Sequence, residues 1–81
     1  VNSNWNKGVT LALEAPGQFT TINNLREASW ALIEDWPIED GEALDHALLV
    51  IEAALKGKKT PEEARLAFIA AAREAGIEIG A

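Results

Sequence analysis

His46 is the only histidine in the 81 residues, so it is the first place to look for acid–base or metal chemistry. Glu42 stands one helical turn before it and Asp45 directly beside it. A general base must reach the proton it removes, and a zinc ion needs three or four His, Cys or carboxylate ligands. Helical spacing puts at most two of these side chains on one face. It also sets His46 opposite the Leu44–Leu48–Ile51 stripe, on the solvated side. His46 therefore reads as a surface residue, and no metal ligand set is assigned.

Nucleophiles and paired acids point the same way. Ser3 stands near the start of the chain and Ser29 lies in a helical pattern beside apolar positions. Neither occupies a strand–turn–helix elbow with a histidine partner. The adjacent carboxylates Glu34–Asp35, Glu39–Asp40 and Glu62–Glu63 read as surface or capping groups, because retuning a carboxylate requires burial in a cleft. No catalytic residue and no cofactor are assigned, and the expectation is that the protein is not an enzyme.

One basic cluster remains. Leu55-Lys56-Gly57-Lys58-Lys59-Thr60 ends like a phosphate-binding loop but lacks the leading glycine and follows a helix rather than a strand. Lys58, Lys59 and Thr60 are the candidate anion contact, because free N–H groups point outward at a helix start. The simpler reading is a connecting loop whose lysines offset the negative end of the preceding helix.

The elements that would hold these groups follow from apolar spacing. Val9, Leu11 and Leu13 alternate with Thr10 and Ala12, a period of two that predicts a strand with one core face. Ala15-Pro16-Gly17 supplies turn chemistry, and Phe19 to Ile22 returns as the second strand of a hairpin spanning about residues 5–22. Asn24 and Glu27 resemble a capping box, opening a helix of about 24–36 with Leu25, Ala28, Leu32 and Trp36 on one face and Ile33 at its edge. Pro37 stops it. A second helix of about 41–56 carries Leu44, Ala47, Leu48, Ile51 and Leu55, flanked by Ala43, Val50 and Ala54. Thr60, Pro61 and Glu63 start a third, about 61–75, lined by Ala64, Ala67, Phe68, Ala71 and Ala75 and stopped by Gly76. Ile77 and Ile79 then form a short third strand or a packed tail. The fold class is α+β, an N-terminal β-hairpin packed on three helices in one domain over 1–81.

Some apolar side chains miss these stripes. Trp30 falls about 140° around its helix from Leu25. Leu49 projects opposite the stripe of the second helix, and Leu66 with Ile69 does so on the third. Uncovered apolar patches mark interfaces, so Trp30, Leu49, Leu66 and Ile69 are the candidate interface. Arg65 reads as a structural ion pair with Glu62 or with the Glu39–Asp40 segment, and Trp36 as a core plug.

Composition limits the partners. Thirteen acidic and seven basic residues leave a formal charge of −6, whereas nucleic acid is held through many Lys and Arg contacts. No apolar run approaches the ~20 residues of a membrane span, and no basic-then-apolar leader is present. Without cysteine there is no disulfide, which fits the cytoplasm. The expected partner is a protein, including a second copy of the chain, with neither nucleic acid nor membrane. A chain this short buries only about 60–65% of its unfolded surface, and a second copy would add burial.

Trp36-Pro37 after a helix, then Ala54-Leu55-Lys56-Gly57, then Ala64-Arg65-x-Ala67-Phe68 and Ala71-Ala72-x-Glu74-Ala75 form an ordered set. Together with the hairpin and Leu25-Arg26-Glu27-Ala28, the set resembles a family of short bacterial proteins, domain of unknown function 982, over roughly Trp5 to Ile79. The resemblance implies a hairpin with three helices, marks Trp36, Pro37, Arg65 and Phe68 as its structural motif, and implies no activity. The leading expectation is a non-catalytic, self-associating interaction module. The alternative is a small-ligand or anion-binding domain with a pocket between hairpin and helices.

Overall fold

Alternating apolar residues build a two-stranded antiparallel hairpin, β1 (Asn4–Ala15) and β2 (Gln18–Asn24). The computed structural model describes residues 4–15 and 17–80; Pro16 and Ser3 lie outside them. Val9 pairs with Ile22, Thr10 with Thr21 and Leu11 with Thr20. Val9, Leu11 and Ile22 are buried on one face, while Leu13, farther along β1, is half-buried. Gly17 carries the turn at φ 80°, a left-handed value that glycine adopts without a Cβ penalty.

The helices follow with boundaries close to those predicted. Asn24 caps α1 (Leu25–Trp30), its side chain accepting from the Glu27 N–H at 2.9 Å. The Glu27 carboxylate reaches back to the Asn23 N–H at 2.8 Å, one residue before the cap. From Ala31 to Asp35 the helix widens into a π turn, then Trp36 turns extended at ψ 137°, as a residue before proline prefers. Winding at i→i+5 rather than i→i+4 changes the face: Ala31 joins Leu25, Ala28 and Leu32 in the core, and Ile33, predicted at the stripe edge, turns out to solvent.

Next come α2 (Glu42–Leu55) and α3 (Pro61–Glu74), which pack chiefly on each other. Alanines at 64, 67, 71 and 72 are buried along α3, and such small side chains let helix axes come close. That approach draws Val50 and Ala54 of α2 into the core beside Leu44, Ala47 and Ile51. The predicted stripe is shifted accordingly: Leu48 is half-buried and Leu55 exposed. Thr60 and Glu63 form the predicted capping box on α3.

Phe68 is fully buried between two tryptophans, 5.7 Å from Trp5 of β1 and 5.4 Å from Trp36. One ring thereby ties hairpin, α3 and the exit from α1 together. After α3, Ile77 is buried and Ile79 bridges Leu11. The Ala12 N–H donates to the Glu78 carbonyl at 2.9 Å, and the Gly80 N–H to the Thr10 carbonyl at 2.8 Å. This segment lies on the sheet edge without becoming a third strand, since among the described residues the sheet consists of β1 and β2.

Candidate functional site

An open concavity lies where the far half of the hairpin runs past α1. Leu13 and Thr20 face the same side as the core but extend beyond the cover of the helices, and Ile22, Arg26, Trp30 and Ala31 complete an open groove of about 610 Å³. Asp35, in the π turn, stands at its rim. Trp30 forms one wall with 67% of its surface exposed, and Ile33, one turn on, is equally bare. A tryptophan indole offers a broad apolar face with one N–H donor. Positive and negative side chains, Arg26 with Glu27 and Asp35, flank that face.

A second groove, about 370 Å³, runs between α2 and α3. His46, Val50, Lys59, Glu63 and Leu66 line it. His46 is exposed, and so are Glu42 and Asp45. The adjacent acids Glu34–Asp35, Glu39–Asp40 and Glu62–Glu63 are exposed too. Among the described residues, no group of three or more His, Cys, Asp or Glu is placed to hold a metal.

Of the sequence-predicted interface residues, Leu49 is 67% and Leu66 57% exposed, on α2 and α3. Ile69 differs: it is half-buried and packs on the core. The anion contact is dispersed. Lys58 lines a shallow depression with Leu49 and Lys56, while Lys59 lines the α2–α3 groove. Thr60 spends its hydroxyl on the Glu63 N–H at 3.1 Å, and the Glu63 carboxylate takes the Thr60 N–H at 3.2 Å. The start of α3 is thus filled by the chain's own carboxylate.

Arg65 makes the first of its two predicted pairings, with Glu62, and adds a contact to β1. Its Nε donates to the Lys7 carbonyl at 2.8 Å, and its Nη1 lies 3.5 Å from Glu62 Oε2. Because α3 packs on β1, Arg65 fastens helix to strand and not to the Glu39–Asp40 segment. Trp36 and Phe68 meet as a packing motif, and Pro37 is exposed beside them.

Two features escaped the sequence. Phe19 on β2 is 44% exposed, although its place in an alternating strand could have flagged it. The π turn that carries Ala31 and Asp35 to the groove has no local sequence signature. No helix of the described residues is long and apolar enough to cross a membrane. Residues 7–79 match the family model described as Protein of unknown function (DUF982), and no curated protein or solved structure gives a significant match.

Proposed function

We propose that this chain, which belongs to the family of proteins of unknown function (DUF982), is a non-catalytic interaction module of the cytoplasm that associates with itself. The observation that carries this reading is the exposed apolar set, Trp30, Ile33, Leu49 and Leu66. Burying an isoleucine or leucine is worth about 1.5–3 kcal/mol, a large term for a domain of this size. Charged residues are depleted at interface cores while tryptophan is enriched. The scattered, exposed acids and the exposed His46 support a role without catalysis. The formal charge of −6 disfavours nucleic acid. Light scattering on the purified chain at micromolar concentration tests it: a mass near twice the monomer is expected, and a strict monomer contradicts it.

A second reading rests on the groove between hairpin and α1. Its volume of about 610 Å³ falls within the roughly 300–1,000 Å³ of small-ligand sites. Such sites rely on converging polar groups, yet the described residues include no buried polar or charged side chain. Self-association is therefore the better supported. A thermal-shift screen separates the two, since a ligand of the folded state raises the melting temperature.

A further inference from the structure

We propose, building on the self-association reading, that the outer edge of β2 is the seam where a second copy of this chain adds its own β2, antiparallel, into one continuous sheet. Backbone direction alternates along a strand. The Thr10 carbonyl and the Ala12 N–H point to the 78–80 segment, so Val9 and Leu11 point to β2. Their partners Ile22 and Thr20 point back. Phe19, Thr21 and Asn23 consequently aim their backbone groups away from β1, where no described strand lies. Glu27 already holds the Asn23 N–H. The N–H and C=O groups of Phe19 and Thr21, with the Asn23 carbonyl, remain for a partner.

Natural edge strands are guarded by charge, proline or a covering element. β1 has such a cover in the 78–80 segment. The β2 sequence Gln-Phe-Thr-Thr-Ile-Asn-Asn contains neither charge nor proline and favours strand. On a chain with a formal charge of −6, a neutral strip is also where two copies meet with least repulsion.

Pairing about Thr21 is self-complementary. The two Thr21 residues exchange a pair of hydrogen bonds, and each Phe19 N–H donates to the Asn23 carbonyl of the second copy. The ladder stops there because Glu27 occupies the next donor. The same two-fold axis, perpendicular to the sheet, sets the two α1 helices side by side and closes the groove of each copy over the seam. Trp30 is covered, and Arg26 of one copy meets the Glu27 and Asp35 side of the other. A closed isologous contact of this kind yields a dimer rather than a filament.

The cysteine-free sequence makes the test direct. In a hydrogen-bonded antiparallel pair the Cα atoms lie about 5.5 Å apart, within the roughly 4.4–6.8 Å that a disulfide spans. Thr21→Cys is expected to cross-link to a dimer under mild oxidation, while Leu49→Cys and Leu66→Cys stay largely monomeric. In hydrogen exchange on the unmodified chain, the Phe19 and Thr21 amides are expected to slow as concentration rises. Thr21→Lys, which sets like charges opposite each other, is expected to abolish the dimer without loss of circular dichroism. A dimer by light scattering that links through Leu49→Cys or Leu66→Cys, but not through Thr21→Cys, overturns the β2 seam and leaves self-association standing. A strictly monomeric chain removes both.

Discussion

Glu74, at the end of α3, accepts the Leu44 N–H of α2 at 3.1 Å and the neighbouring Ala43 N–H at 3.0 Å. The helix that receives this carboxylate has no cap of its own, since Gly41 offers no side chain. First-turn N–H groups need an acceptor, and a negative charge suits the positive end of the helix dipole. A residue about thirty positions away thus does the work that an adjacent Ser or Asp usually does. Removing a cap costs about 0.5–2 kcal/mol. Glu74→Ala is expected to lower the unfolding free energy by that amount, read as a lower urea midpoint with an unchanged m-value, whereas an unaltered midpoint would mean that water serves α2 equally well.

Gly41 belongs to the same device. Its φ of 154° is one that side chains rarely adopt, and a Cβ there would collide with the Glu74 carboxylate. Gly41→Ala is expected to destabilise by about 1–3 kcal/mol. Part of that cost is the displaced cap, so the two substitutions should not add. In a double-mutant cycle Gly41→Ala costs less when Glu74 is already alanine. Additive losses would show that strain at Gly41 acts alone.

These contacts mark how far the sequence could be read. Local signals served well: Asn24 with Glu27, and Thr60, Pro61 and Glu63, lie within one turn of the helices they start, so spacing alone reveals them. The hairpin was legible because Val9 and Leu11 alternate. What stayed hidden depends on distant partners. Glu74 reaches α2 only through the antiparallel packing of α2 on α3, and the π turn after Trp30 has no motif. The exposed Trp30, Leu49 and Leu66 followed from helical angles, whereas Ile69 did not, because its neighbours in three dimensions set its cover. The groove beside α1 and the open edge of β2 arise from how far the hairpin overhangs the helices, a length that periodicity does not encode.

Phe68 is the keystone between Trp5 and Trp36. Native stability for 81 residues is roughly 4–12 kcal/mol. Phe68→Ala, at about 3–5 kcal/mol, is expected to remove between roughly a quarter and all of that stability. Phe68→Leu should keep the fold with a lower melting temperature and reduced near-ultraviolet dichroism from the tryptophans. A Phe68→Ala chain as stable as the parent would contradict the packing.

The three tryptophans divide by environment: Trp5 is buried, Trp36 half-buried and Trp30 two-thirds exposed. Iodide is expected to quench mainly Trp30 in dilute protein, and Trp30→Phe should leave fluorescence that is bluer and poorly quenched. Equal quenching after that substitution would place a second indole in water.

Self-association through the Trp30 face is the claim on which the functional account turns, and sedimentation equilibrium across a wide concentration range measures it most directly. Hot-spot tryptophans cost at least about 2 kcal/mol when truncated, so Trp30→Ser is expected to raise the dimer dissociation constant by roughly thirtyfold or more while the fold persists. A parent chain that remains monomeric throughout, or a folded Trp30→Ser that dimerises as tightly as the parent, would contradict it.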